Sequence, residues 1–173
     1  MDESLSLAER LLASGTLVKN SLLCQLYLTL SELAKLSDRL DDQILHLQQA
    51  LEICDHPRQT LALQMLLTEA LVETKNFRAA KFIAEKIYDQ LRKQGRWLDD
   101  IWDALQYVIV LSLILQISLA LDDRSGSNLY MDLALAIGRL AGERWPKKEP
   151  TKQVTDLVHK MEGFMKRFNN VGR

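Results

Sequence analysis

Few residues in this chain have the type and spacing that catalysis or metal binding requires. His46 is expected on a helix, His56 in a loop before Pro57, and His159 on the last helix. None has a cysteine, a second histidine or a carboxylate at a spacing typical of metal ligands. The chain also lacks phosphate-binding loops, dinucleotide-binding glycine patterns and the nucleophile motif of hydrolases. We therefore expect no catalytic residue, no metal site and no cofactor, and a protein that is not an enzyme.

Three pairs of adjacent aspartates have the composition that acid–base chemistry uses. The pairs are Asp41–Asp42, Asp99–Asp100 and Asp122–Asp123. Each falls at an expected helix boundary, where carboxylates cap backbone N–H groups and complement the helix dipole. This structural role accounts for their positions better than catalysis does.

The two cysteines, Cys24 and Cys54, are too few for a disulfide framework. Both fall on expected helices among apolar neighbours, where a free cysteine packs as a small hydrophobic side chain. An antiparallel hairpin of these helices would place the two at similar heights, so a bridge is geometrically conceivable although the composition argues against it. The chain begins without the basic and apolar segments of a signal peptide, which favours a cytoplasmic or nuclear location.

The elements that carry these residues are expected to be helices. Only seven Gly and three Pro occur in 173 residues, and apolar residues recur at spacings of three and four. The expected helices cover about 4–12, 20–36, 41–53, 59–74, 77–92, 99–121, 129–141 and 152–168. Loops are expected at 122–128 and 142–150, with Thr151 as the N-cap of the last helix.

Charge provides little attraction for nucleic acid or for a membrane surface. The net charge is −1, so we expect neither as a partner. The charge is unevenly distributed: residues 1–60 carry a net −4 and residues 143–173 a net +4. Solvated faces explain this asymmetry more simply than a basic docking surface near the C-terminus.

The stretch from Ala104 to Leu121 is the most apolar part of the chain. Its eighteen residues contain no charge, Gly or Pro, which reaches the low end of a membrane span. Acidic residues flank it, and no Lys/Arg asymmetry sets an orientation. We therefore expect a buried central helix. Because Gln106, Gln116 and two serines point in scattered directions, either the C-terminal helix or a partner chain must cover it. This makes Gln106 and Gln116 predicted contact residues, and an oligomer through 104–121 an alternative.

The expected helix pairs resemble tetratricopeptide repeats over about residues 20–142. The residues at that family's packing positions recur after 37 residues and, in part, a third time. They are Tyr27, Leu30, Ser31, Ala34, Gln43, Leu47 and Ala50, then Gln64, Leu67, Thr68, Leu71, Ala80, Ala84 and Ile87, then Ala134, Gly138 and Ala141. Small residues at these places allow neighbouring helices to approach closely.

The resemblance departs from the family pattern at several places. Ser31 and Thr68 stand where the family usually has Gly, and Gln64 where it has an aromatic residue. The spacing also exceeds the usual value of about 34. The alternative is a generic α-solenoid of the kind found in large complexes. The expected fold is therefore all-α, with antiparallel helix pairs stacked as a short right-handed α-solenoid in one helical-repeat domain, 1–173. The repeat-like pairs span 20–142 and a terminal capping helix spans 151–168.

The resemblance implies a protein-interaction module that uses the first helix of each pair. Mapped by the resemblance, the partner-contacting positions are Gln25, Leu28, Glu32, Lys35 and Leu36, then Ala62, Met65, Glu69, Val72 and Glu73. This apolar and acidic set favours a hydrophobic or basic helical segment or peptide as the partner, from a larger multiprotein assembly. Two alternatives remain: a regulator that responds to a peptide ligand, and a structural subunit held through its long apolar helix.

The last expected helix is amphipathic and basic. Val154, Leu157, Met161, Phe164 and Met165 lie on its apolar face. Such a helix could bind in a groove of another protein. A terminal helix that covers the open end of the repeats explains it more simply, because a repeat protein needs a cap with a polar outer face.

Overall fold

The computed structural model describes residues 20–95 and 99–171. These residues form seven α-helices and no strand, which confirms the all-α class for the described chain. The helices are α1 (Asn20–Leu36), α2 (Leu40–Ile53), α3 (Pro57–Glu73), α4 (Phe77–Gln94), α5 (Ile101–Ala120), α6 (Arg124–Arg144) and α7 (Glu149–Val171). The helix expected at 4–12 lies outside the described residues.

The chain divides into two compact units, one ending at Asn76 and the other beginning at Phe77. The first contains α1, α2 and α3, and the second contains α4 to α7. This boundary falls between the two helices of the second expected repeat pair. The single helical-repeat domain over 1–173 stays a prediction.

In the first unit, α2 packs against both α1 and α3. Leu30 and Ala34 of α1 and Leu47 and Ala50 of α2 are almost completely buried, as their spacing of three and four predicts. Asp38 connects α1 to α2 in the left-handed region, with φ of 58°. α3 begins at Pro57, whose fixed φ suits the first helical position.

In the second unit, α5 packs against α4, α6 and α7. Val108, Leu111 and Leu115 belong to its core and are completely buried. α7 contributes Val154, Val158 and Met161 to the same core. The sequence left open whether the C-terminal helix or a partner chain covers the apolar helix. The structure shows the C-terminal helix packed on it.

The expected loop at 122–128 is wrong beyond Asp123, because α6 already begins at Arg124. Asp122 ends the preceding segment with φ of 56°. The Asp123 carboxylate accepts a hydrogen bond from the N–H of Gly126 at 2.9 Å and so caps the new helix. Ser127, expected in the loop, is buried and donates to the Asp123 carbonyl at 2.7 Å.

The expected loop at 142–150 is shorter than the sequence suggested. α6 continues to Arg144, and α7 begins at Glu149. Thr151 is therefore not the N-cap but lies within the first turn of α7. Its hydroxyl donates to the carbonyl of Trp145 at 2.6 Å, which joins α7 to the end of α6.

Candidate functional site: the α1–α3 surface

Histidines are among the side chains that catalysis or a metal site would use, and the structure places all three. His46 is buried, stacks on Tyr27 with ring centroids 6.2 Å apart, and contacts Gln49 at 3.3 Å. His56 and His159 are exposed on other elements. Among residues 20–95 and 99–171, no group of three or more His, Cys, Asp or Glu could hold a metal ion. That the chain is not an enzyme stays a prediction.

The aspartate pairs lie at helix starts, as expected. Asp41 and Asp42 are in the first turn of α2, and Asp42 also pairs with Arg39. Asp100 directly precedes α5. Asp123 caps α6 and accepts a hydrogen bond from Lys81 at 2.8 Å. Asp123 thus caps a helix through its side chain, whereas the Asp100 side chain makes no capping hydrogen bond. Asp41 and Asp42 lie where a carboxylate complements the helix dipole.

The partner-contacting positions mapped on the first unit lie on α1 and α3. We call the ten residues together the α1–α3 surface: Gln25, Leu28, Glu32, Lys35, Leu36, Ala62, Met65, Glu69, Val72 and Glu73. Gln25, Glu32, Lys35, Leu36, Ala62 and Glu73 are exposed, and Leu28, Met65, Glu69 and Val72 are half-buried. The six exposed members can be reached by another molecule.

One contact brings the two helices of this surface together. Nζ of Lys35 on α1 lies 3.1 Å from Oε1 of Glu73 on α3. Both side chains remain substantially exposed, at 48% and 41%. The ammonium group is therefore shared with solvent, and Glu73 can exchange it for another cation.

Glu69, one turn before Glu73, adds a second carboxylate to the same place. Its partial burial raises its pKa above the ordinary value of 4.5, and repulsion from Glu73 raises it further. The nearby Lys35 acts in the opposite direction and lowers the pKa. One lysine thus faces two carboxylates, which leaves negative charge in excess at this point.

Exposed apolar side chains accompany these charges. Leu36 is the most exposed large hydrophobic residue of the described chain, at 74%. Leu22 on α1 and Leu66 on α3 are also exposed, at 56% and 38%. Leu22 falls at the spacing of three and four that marks the apolar residues of α1, yet it is exposed. Leucines are so frequent on both helices that their spacing fits more than one face, so periodicity alone could not separate core from surface.

The two other predicted contact residues lie in the second unit. Gln106 is exposed, whereas Gln116 is half-buried and its amide donates to Ser112 at 3.3 Å. Ten residues separate them on α5, or about 15 Å along the helix axis. They therefore form no common site, and Gln116 already has a partner within its own helix.

α5 is the one helix of the described residues that is long and apolar enough to cross a membrane. Its most apolar window has a mean hydropathy of 1.7, and 61% of that window is buried in the protein. A core helix has the same length and composition. Its large apolar residues Val108, Leu111 and Leu115 belong to the core that α6 and α7 complete.

Two surface depressions lie elsewhere. One, of about 440 Å³, is lined by Lys86, Asp89, Gln90, Lys93 and Gln94 of α4. The other, of about 430 Å³, lies at the start of α7 beside Lys147, Lys148 and Lys152. Neither is lined by a predicted contact residue.

The described residues thus form a partly neutralised acidic cluster between α1 and α3, and both helices also carry exposed leucines. Comparisons with protein-family models, curated proteins and solved structures found no match to this chain.

Proposed function

We propose that this chain is a non-enzymatic protein-interaction module, and that the α1–α3 surface binds a basic, amphipathic helical segment of a protein partner. The partner would belong to a multiprotein assembly in the cytoplasm or nucleus. No nucleic acid, membrane or cofactor takes part in this proposal.

The proposal includes a tetratricopeptide-like solenoid in which antiparallel helix pairs stack with a right-handed twist. Its support is the burial of small residues at the positions where that pattern needs them. Ala34, Ala50, Ala80, Ala84 and Ala134 are completely buried. A residue without a long side chain at such a place allows the helices to approach closely.

The observation that carries the binding proposal is the Lys35–Glu73 contact. It brings positions from α1 and α3 that the repeat resemblance assigns to partner contact within 3.1 Å of each other. Such positions in a repeat protein lie on the inner face that binds peptides and helices.

Charge complementarity defines the partner. Glu32, Glu69 and Glu73 supply three carboxylates on this surface, and Lys35 supplies one ammonium group. Glu69 is half-buried, and its raised pKa reflects the cost of keeping its carboxylate charged there. A lysine or arginine from the partner would reduce this cost, while apolar partner residues would cover Leu36. A basic amphipathic helix provides both groups.

The alternative of a structural subunit held through 104–121 has less support. Thirteen residues of α5 are buried within the protein. Among its exposed residues are Trp102, Gln106 and Ala120. The alternative of a peptide-responsive regulator would use the same α1–α3 surface, so photo-crosslinking from Leu36 tests it as well.

A photo-crosslinking amino acid in place of Leu36 tests the proposal in cells that express the full chain. The control carries the same amino acid in place of Phe82, which is 64% exposed in the second unit. We expect a defined cross-linked protein from position 36 that is absent from position 82. Mass spectrometry of the product identifies the partner and the cross-linked segment.

Charge reversal then decides whether the captured protein uses this surface. Glu69→Lys with Glu73→Lys should remove the product from position 36. Glu52→Lys with Glu143→Lys makes the same change in net charge at two exposed positions that are not among the ten residues of this surface, and should leave the product intact. Equal yields with both double variants, or equal products from positions 36 and 82, would contradict the proposal.

A further inference from the structure

The two cysteines lie at the same end of the α1–α2 hairpin. Cys24 is in the first turns of α1, twelve residues before Leu36. Cys54 is the C-cap of α2, fourteen residues after Leu40. At about 1.5 Å per residue, they lie about 18 and 21 Å from the turn that joins the helices. Because α1 and α2 pack against each other, similar heights make the two residues neighbours.

Cys54 affects the thiol of Cys24. Burial raises the pKa of the Cys24 thiol most, and the neighbouring Cys54 raises it further. Both residues are free thiols in this structure. The chain contains no other cysteine, so each thiol has one possible intramolecular partner.

The two cysteines differ in exposure. Cys24 is 2% exposed, so a dissolved reagent cannot reach its sulfur directly. Cys54 is half-buried, and its Sγ lies 3.6 Å from the hydroxyl of Thr60 and 3.8 Å from the amide oxygen of Gln59. A small reagent can reach the Cys54 sulfur, whereas the Cys24 sulfur is buried.

The backbone at Cys54 permits a small adjustment. Its N–H still donates to the Ala50 carbonyl, but its φ of −78° and ψ of 118° are those of extended chain. Rotation about its Cα–Cβ bond leaves the backbone hydrogen bonds of α2 intact and requires only that Sγ leave its contacts with Thr60 and Gln59.

We propose that Cys24 and Cys54 form a reversible intramolecular disulfide when the protein meets a hydroperoxide. The Cys54 thiolate attacks one peroxide oxygen and the O–O bond breaks. With hydrogen peroxide, this gives a sulfenic acid on Cys54 and a hydroxide that takes up the thiol proton as water. The Cys24 sulfur then attacks the sulfenic sulfur and the S–O bond breaks. The leaving hydroxide takes the Cys24 proton, so two thiols and one peroxide give one disulfide and two waters.

The bridge would fix the start of α1 to the end of α2. It closes a loop of residues 24–54 in the unfolded chain, which reduces the entropy of that state. The oxidised protein is therefore expected to melt several degrees above the reduced protein. This inference does not depend on the proposed partner, because it concerns only the chain itself.

The test uses the full reduced chain and equimolar hydrogen peroxide. After treatment the protein is denatured, alkylated with N-ethylmaleimide and weighed by intact mass spectrometry. We expect no alkylation, a mass lower by two hydrogen atoms, and a monomer on a non-reducing gel. Dithiothreitol should restore two alkylated cysteines.

Single variants separate the two roles. In Cys24→Ser, dimedone should trap a sulfenic acid on Cys54 and no intramolecular bridge should form. In Cys54→Ser, Cys24 should remain a free thiol under the same treatment. If Cys24→Ser does not fold, Cys24→Ala provides the same readout. The intact mass of the peroxide-treated wild-type chain is decisive without either variant. Two alkylated thiols after peroxide, a sulfinic acid on Cys54 beside a free Cys24, or a bridge between two chains would each overturn the proposal.

Discussion

Nζ of Lys35 lies 3.1 Å from Oε1 of Glu73, although the two residues are 38 positions apart in the chain. An exposed pair of this kind contributes at most about 1 kcal/mol to stability. We therefore expect Lys35→Gln to change the free energy of unfolding by less than about 1 kcal/mol in urea denaturation. The same change should increase the affinity for a basic partner, because Glu69 and Glu73 lose the positive charge that Lys35 supplies.

The affinity is measured by titrating the segment that the Leu36 cross-link identifies. Lys152→Gln is the control, since it removes one exposed positive charge from the second unit. It should leave the affinity unchanged. If Lys35→Gln instead weakens the complex, Lys35 contacts the partner directly and the assignment of the partner's charge is wrong.

The raised pKa of Glu69 predicts how binding depends on pH. Burial is the largest cause, and Lys35 opposes it. A glutamate whose pKa is higher in the folded state takes up its proton before an ordinary glutamate does as the pH falls. Affinity for a basic segment should therefore begin to fall above the ordinary glutamate value of 4.5. The stability contribution has the opposite sign, since protonation removes the cost of the partly buried charge.

Titration calorimetry between about pH 4 and 7 follows this loss of affinity, in the range where a perturbed carboxyl group titrates. Glu69→Gln removes the titrating group and should abolish the upper part of the pH dependence. Glu52→Gln, at an exposed position on α2, should not change it. An unchanged pH profile in Glu69→Gln would show that the binding is insensitive to this carboxylate.

Asp123 combines a helix cap with an ion pair, so its removal should destabilise the second unit. Its hydrogen bond from Lys81 is the largest cause of its lowered pKa, followed by the bond from Gly126. We expect Asp123→Ala to lower the free energy of unfolding by about 1–2 kcal/mol. Asp123→Asn keeps an oxygen for Gly126 but loses the charge, so it should cost less.

The pH dependence separates these contributions. An aspartate with a lowered folded pKa contributes stability above its unfolded pKa, and this stability is lost as the pH falls through the folded value. Urea denaturation of the wild-type chain at acidic and neutral pH measures the loss, which Asp123→Asn should reduce. Asp122→Asn is the control, because Asp122 is 79% exposed and pairs only loosely with Arg124 at 3.8 Å.

Gly138 marks the place where α6 and α7 approach closely. A Cβ atom at this position would lie 3.2 Å from Cγ2 of Val158. Gly138→Val should therefore destabilise the protein, because its branched side chain cannot fit between the helices. Gly142→Ala, four residues later, meets nothing within 4 Å and should stabilise α6 by about 0.5–1 kcal/mol through helix propensity. Thermal melting of both variants and of Gly138→Ala distinguishes contact from propensity.

The sequence predicted most helices because apolar residues recur at a spacing of three and four. It failed at residues 124–128, where Ser125, Gly126 and Ser127 have the composition of a turn. What decides the structure there is the hydrogen bonding of Asp123, which accepts from Gly126 and from Lys81, 42 positions away in the chain. A contact at that separation leaves no trace in local periodicity.

The candidate site was only partly predictable. The resemblance to repeats gave the positions on α1 and α3, but not the contact between Lys35 and Glu73, which depends on how the helices pack. The spacing of apolar residues also could not show that Leu22 is exposed, since a leucine-rich helix has more apolar residues than one face can bury. The sequence suggested a hairpin of α1 and α2 but left open whether Cys24 and Cys54 are close in it.

The C-terminal helix is expected to be required for the second unit to fold. Val154 and Met161 of α7 are completely buried and Val158 is 7% exposed. A chain ending at Lys148 would expose the apolar residues of α5 and α6 that these side chains cover. Because each buried aliphatic side chain contributes about 1.5–3 kcal/mol, we expect this variant to aggregate. A chain ending at Phe168 is the control, and sedimentation with circular dichroism compares the two.

Loss of α7 could also act simply by shortening the chain, so a point substitution separates the two causes. Met161→Asp places a charge in the core at full length, whereas Lys160→Asp introduces the same group on the exposed side of the same turn. If α7 acts through its buried face, Met161→Asp reproduces the truncation and Lys160→Asp remains folded. A soluble, cooperatively unfolding chain that ends at Lys148 would mean that α5 and α6 form a stable core without α7, and the apolar surface so exposed would then be available to a partner.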